Sequence, residues 1–169
     1  MKKLLIALIL CACLTFPATA SYKHGTVTSN FGKLVGVNET GDDITVTTAG
    51  TYYQYVTEDE AVVTGVIYDS GNHALQMSMA GHFLTTINLS VSVDSSDHTV
   101  HVGIGKNGTV GTYNSMDFKV KFADRPVPIS ITTITNLAVG DDITVEITSD
   151  TNGDVVSVYH CQLTVVFLD

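Results

Sequence analysis

His82-Phe83-Leu84-Thr85-Thr86-Ile87-Asn88-Leu89-Ser90-Val91-Ser92-Val93 decides the fold. Phe83, Ile87, Leu89, Val91 and Val93, with Thr85 among them, fall on one side of an extended chain. His82, Thr86, Asn88, Ser90 and Ser92 fall on the other. Successive side chains of a strand point to opposite faces, so this period of two describes a long strand with one dry face and one polar face. No helical spacing fits the run.

The same device recurs on both sides of it. Val100, Val102 and Ile104 alternate with outward His101, and Lys106-Asn107-Gly108 follows as a hairpin turn in which the glycine tolerates positive φ. Phe118, Val120 and Phe122 alternate with Asp117, Lys119 and Lys121, until Asp124-Arg125-Pro126-Val127-Pro128 breaks the run and Ile129 and Ile131 open another strand. Ile143, Val145 and Ile147 alternate with Thr144, Glu146 and Thr148. A turn at Asp150 to Asp154 leads into Val155 to Leu168, with Tyr159, Cys161, Leu163, Val165 and Phe167 on one face. Val165-Val166-Phe167-Leu168 is apolar on both faces, which places the last strand inside a sheet or at a subunit contact. Upstream, Val62, Val63, Val66 and Ile67 favour a strand over the single helical turn that Thr57-Glu58-Asp59-Glu60 would open. Ser21 to Glu60 is Thr-rich and broken by glycines, and reads as one or two edge strands plus loops. The hexapeptide GDDITV occurs at Gly41 to Val46 and at Gly140 to Val145 without matching flanks, so it is shared turn-into-strand chemistry and not a repeat.

These segments predict an all-β protein, an antiparallel jelly-roll-like sandwich of about 8–10 strands, on their even spacing and short polar turns. Residues 1–20 read as a secretory signal peptide: Lys2 and Lys3, an apolar run from Leu4 to about Leu14, and Ala18-Thr19-Ala20 before Ser21. The run is shorter than the roughly 18 residues a membrane span needs. Cys11 and Cys13 would matter only if the leader were a lipoprotein signal, which would anchor the chain. Residues 21–60 form an N-terminal strand and loop extension, and residues 61–169 the jelly-roll domain. The expected location is secreted, extracellular or periplasmic.

Charge narrows the function. The chain carries −9, and loss of Lys2 and Lys3 with the leader takes it to −11. Phosphate backbones and anionic membranes would repel it, so nucleic acid is not an expected partner. Cys161 is the single cysteine after the leader and reads as a small buried hydrophobe, so no internal disulfide is expected. The sequence holds no G-x-S-x-G, H-E-x-x-H or phosphate-cradling glycine loop, and no catalytic residue is assigned. His98 and His101 stand three apart, which in a strand sends them to opposite faces and argues against a shared metal. Asp150, Asn152 and Asp154 place oxygen ligands at alternate positions, loosely as in a calcium loop, but Val155 fills the sixth place where that loop needs glycine. They are weak calcium candidates, beside the plainer reading as a hairpin turn. Tyr52, Tyr53 and Tyr55 offer either a sugar-stacking surface or alternate core packing.

From Ala74 onward the order of features resembles the globular-head jelly rolls of the tumour-necrosis-factor and complement superfamily, in the form found in phage tail-fibre tips and other virion appendages. The carriers are Leu75-Gln76-Met77-Ser78-Met79-Ala80-Gly81-His82-Phe83 before the long strand, Ile104-Gly105-Lys106-Asn107-Gly108, then Leu137-Ala138-Val139-Gly140-Asp141, and a final apolar strand at the C-terminus. His82 stands between Gly81 and Phe83 where the family's aromatic usually follows at once. The resemblance implies a homotrimer packed through one sheet face of each protomer, with loops presented to a cell-surface glycan or protein. Function is therefore expected to be non-enzymatic: an exported or virion-displayed structural and receptor-binding module. The alternative is a monomeric secreted bacterial adhesin or carbohydrate-binding module.

Overall fold

The computed structural model describes residues 30–56 and 60–169. The leader, Cys11, Cys13 and the Thr57 to Asp59 part of the acidic turn lie outside them. Among the described residues there is no helix, hence none long and apolar enough to cross a membrane. The strands are β1 (Phe31–Thr45), β2 (Tyr53–Tyr55), β3 (Glu60–Thr64), β4 (Val66–Asp69), β5 (Ala74–Met77), β6 (Gly81–Val93), β7 (His98–Lys106), β8 (Thr109–Val120), β9 (Val127–Leu137), β10 (Asp142–Ser149) and β11 (Val155–Phe167). They exceed the expected eight to ten because β2 is only three residues long and Gly65, at φ 66°, divides β3 from β4.

Two antiparallel sheets result, compatible with a jelly-roll sandwich. One is ordered β3-β1-β11-β6-β9; the other is ordered β4-β5-β10-β7-β8, with β2 also pairing β10. The inner faces interdigitate in one core that includes Leu34, Leu75, Phe83, Ile87, Val102, Ile104, Ile143, Ile147 and Leu163. The alternation of β6 is as expected, with Phe83, Thr85, Ile87, Leu89, Val91 and Val93 all buried. Asn107 and Gly108, at φ 51° and 72°, close the predicted turn between β7 and β8 with two residues, Lys106 belonging to β7. Gly41 and Gly140, the two GDDITV glycines, have nearly equal φ of 84° and 85°.

Four expectations change. First, the N-terminal segment does not merely supply edge strands: β1 lies inside its sheet, between β3 and β11. Its Thr and Gly residues disguise a core strand because Gly32 and Gly36 occupy the inward side with Leu34. An added Cβ at Gly32 would lie 2.9 Å from the Leu75 side chain, so glycine there makes room for the opposite sheet. Second, Thr144, Glu146 and Thr148 are buried along with Ile143, Val145 and Ile147, because β10 is flanked by β5 and β2 on one side and β7 on the other. Third, the dry face of β11 changes parity. Val156 and Val158 are inward, a register shift follows between Val158 and His160, and then Cys161, Leu163 and Val165 are inward. A bulge inserts one unpaired residue, so Tyr159 leaves the face it was assigned to. Fourth, Phe122 is 61% exposed beyond the end of β8, with the Arg125 guanidinium 5.0 Å from its ring centre.

Candidate functional site

The connections after β1, β6, β8 and β10 meet at one end of the sandwich. Asp94 N–H donates to Val155 O (3.1 Å), and Asp124 N–H to Val93 O (2.9 Å). Asp97 N–H donates to Val120 O (2.8 Å), and Val46 N–H to Asp154 O (2.8 Å). The loops at Asp94 to Asp97 and Asp150 to Asp154 therefore form one surface. Rigid sheets presenting clustered loops are a common arrangement for recognition.

The calcium candidates of this end face different partners. Asp150 Oδ1 accepts from Thr99 N–H (3.2 Å) and from the Thr151 hydroxyl (3.0 Å). Burial raises its pKa, but the hydrogen bonds from Thr99 and Thr151 and the nearby His98 bring it below the ordinary value. Asn152 Oδ1 accepts from Ala49 N–H (2.6 Å). Asp154 turns inward: only 3% exposed, it meets His98 Nδ1 at 2.8 and 2.9 Å through its two oxygens and accepts from the Ser149 hydroxyl. The three side chains thus tie the turn to β7, to the loop after β1 and to the core edge. His101 Nδ1 meets Asp117 instead, across β8 (2.6 Å).

The tyrosines divide between core and rim. Tyr55 is buried and donates its hydroxyl to Asp42 Oδ2 (2.8 Å). Tyr53 packs against the core and its hydroxyl lies 2.6 Å from Thr47 Oγ1 and accepts from Thr48 N–H (2.9 Å). Tyr52 precedes the strand and is half-buried. Because Tyr53 and Tyr55 alternate inward, the residue between them, Gln54, is turned outward.

Gln54 lines a polar concavity, a cleft of about 330 Å³ on the outer side of the six-stranded sheet, with Asn72, Asn107, Gly108, Asp142 and Thr144. Each is held by local structure. Asn72 sits in a turn closed by Asp69, whose Oδ1 accepts from Gly71 N–H (2.9 Å) and Asn72 N–H (3.2 Å). Asn107 donates its amide to Asp141 Oδ1 (2.8 Å) and accepts from Asp142 N–H (2.8 Å). Asp142 Oδ1 accepts from Gln76 Nε2 (3.1 Å). Asp141, from the Leu137 to Asp141 element, backs Asn107 and also accepts from Ala138 N–H (2.7 Å) and pairs with Lys106 Nζ (2.6 Å). Burial raises the pKa of Asp141, but these partners and Asn107 outweigh it and hold the carboxyl below its ordinary value.

Beside the cleft lies Glu146, 4% exposed, its carboxylate accepting from the Thr144 hydroxyl (2.7 Å). It fits because β7 is glycine at Gly105, opposite Thr144: an added Cβ there would stand 2.4 Å from Thr144 Oγ1 and 2.7 Å from Glu146 Cγ. Burial holds its carboxyl above the ordinary value of 4.5, the Thr144 hydroxyl opposing in part. The folded chain therefore keeps this proton at pH values where the unfolded chain has released it, so stability is lost as pH rises upward from 4.5 through the folded value. Glu146→Gln retains an acceptor for Thr144 and cannot ionise. The variant is expected to gain on the wild type between about pH 4 and about pH 8 in urea titrations. An equal difference at both pH values would show that Glu146 does not titrate with folding.

The outer side of the five-stranded sheet is of another kind. Register places Phe31, Val166, Leu84 and Ile134 in one row across β1, β11, β6 and β9. The next rows are Lys33, Thr164, Thr86 and Thr132; Val35, Gln162, Asn88 and Ser130; and Val37, His160, Ser90 and Pro128. None of the chain's 17 acidic residues stands in these rows, and Lys33 is their one permanent charge. Ile134 is 62% exposed and Val37 55%.

Cys161 is fully buried, and burial pushes its thiol up to about 12, which fits the small-hydrophobe reading and leaves no reactive thiolate. Sequence reasoning missed the cleft because its residues come from four separate segments. The one available signal was Asn107-Gly108, read only as a turn. No protein-family model matches the chain, and no curated protein matches it.

Proposed function

We propose that the exported chain from Ser21 to Asp169 is a non-enzymatic binding module that assembles as a homotrimer through the outer face of its five-stranded sheet. It presents its far surfaces to a cell-surface glycan or protein as a tail-fibre-like virion appendage of the tumour-necrosis-factor-like type, the alternative being a monomeric secreted adhesin. The observation that carries this reading is the charge map. Copies of a chain at −11 repel one another, yet the four rows across β1, β11, β6 and β9 hold no acidic residue and include an apolar row. The acids of this sheet stand at its margins, with Glu60 on β3 beside Val35 and Asp43 opposite Ser157 beyond the bulge. An apolar and hydroxyl-rich surface depleted of charge is the composition of an interface core.

Light scattering of the Ser21 to Asp169 chain over a dilution series tests this, with three chains per particle expected. A double replacement, Leu84→Glu with Ile134→Glu, places carboxylates in the apolar row of every protomer. It is expected to weaken assembly at least about 100-fold, since an unpaired buried charge costs about 3 kcal/mol or more. A monomer for the unmodified chain would remove the trimeric appendage and leave the monomeric secreted binding module.

A further inference from the structure

We infer that the cleft between Gln54, Asn72, Asn107 and Asp142 binds a neutral saccharide unit. This rests on the recognition role proposed above and assigns its ligand class and place. The volume, about 330 Å³, lies at the small end of ligand sites and suits a sugar ring or two more than a peptide.

The lining selects the chemistry. Three carboxamides (Gln54, Asn72 and Asn107), a carboxylate (Asp142) and a hydroxyl (Thr144) converge there. Carboxamides donate and accept at once, and a carboxylate accepts from two directions. That set matches neighbouring hydroxyls, each of which must both give and receive a hydrogen bond. Among the described residues no cationic side chain lines the cleft, while the Asp142 carboxylate stands in it. Sialylated, uronic or phosphorylated ligands would meet negative charge without compensation. The lining includes no large apolar side chain, which disfavours an acyl chain or an apolar peptide.

The polar groups are also fixed in advance. Gln54 Nε2 donates to Asn72 O, Asn72 Nδ2 to Asp69 Oδ2 (2.8 Å), and Asn107 and Asp142 are clamped as described. Little side-chain freedom remains to be lost on binding. Gly108 keeps the rim open, with nothing within 4 Å of where its Cβ would stand. The cleft lies on the opposite side of the sandwich from the assembly face, so self-association leaves it free, and three copies per particle would multiply weak single-site affinity.

The test is binding of the assembled Ser21 to Asp169 protein to an array of neutral and sialylated oligosaccharides, followed by titration of the strongest neutral sugar. Gln54→Ala and Asp142→Asn lie on different strands; each is expected to weaken binding at least about tenfold, the cost of one charged or well-oriented hydrogen bond. Melting and particle mass are expected to stay at wild-type values, which separates site loss from misfolding. Neutral sugar binding lost in both variants supports the assignment. Sugar binding untouched by both overturns the cleft and leaves glycan recognition standing elsewhere on the surface. A preference for sialylated sugars overturns the ligand class. Binding to no sugar overturns the inference together with the glycan half of the proposed function, leaving a protein receptor.

Discussion

Phe83→Ala is expected to lower the unfolding free energy by about 3–5 kcal/mol, among the largest effects of any single truncation in this chain. Phe83 is fully buried in β6 and meets Phe167 of β11 edge-on, with ring centres 5.2 Å apart and planes at 63°. The two residues are also direct register partners across the β6–β11 ladder. Truncation removes the transfer energy of one ring and leaves a cavity beside the other, which neighbouring strands held by ladders on both sides cannot collapse to fill. Phe83→Leu, which fills most of that space, should recover more than half of the loss. Urea titration at one fixed protein concentration is the measurement, because self-association would otherwise shift the midpoint. A loss below about 1 kcal/mol would mean that the ring is not packed in the core of the folded chain.

Asp154→Ala should be the next most damaging change, at about 2–4 kcal/mol. The Asp154 carboxylate is almost fully buried and serves two partners, His98 and Ser149. Deleting it takes the shortest partner from the Ser149 hydroxyl, itself fully buried, and leaves it the longer bonds to Thr99 O (3.3 Å) and from Thr151 N–H (3.3 Å). His98 is 28% exposed, so water softens the loss on its side and the effect sits below that of a wholly buried ion pair. Asp154→Asn keeps an acceptor and should cost roughly half as much. A double-mutant cycle with His98→Ala separates the pair from the packing, and a coupling of about 1 kcal/mol or more is expected. Coupling near zero would assign the whole effect to Ser149. Since Asp154 also joins the turn to Val46 through its backbone, the alanine variant should loosen the shared loop end first, visible as faster amide exchange there.

Much of this was legible in the residues. The burial of β6, the hairpin at Asn107-Gly108 and the interior position of β11 follow from alternation, from a glycine that tolerates positive φ, and from an apolar run too continuous for an edge. What was misread has equally specific causes. Tyr159 was assigned to the wrong face because a single-residue bulge reverses parity for everything before it, and a bulge carries no reliable residue signature. Thr144, Glu146 and Thr148 looked solvent-facing because polar residues on alternate positions ordinarily are. The room for Thr144 and Glu146 depends on Gly105 across the ladder, which is not near them in sequence.

By itself, then, the sequence determined the class of structure, an all-β chain with defined dry faces and turns. Period-two patterning and turn chemistry act over a few residues, and every copy of that information is local. Tertiary structure alone decided the rest: that Phe31 pairs with Val166, that four loops meet at one end, that Tyr53 and Tyr55 turn inward and leave Gln54 on the surface, and that residues from four segments build one cleft. Those outcomes follow from which strands become neighbours. That choice is made by the packing of two whole sheets over a common core, where contacts between residues more than a hundred positions apart compete and no short stretch of chain records the winner.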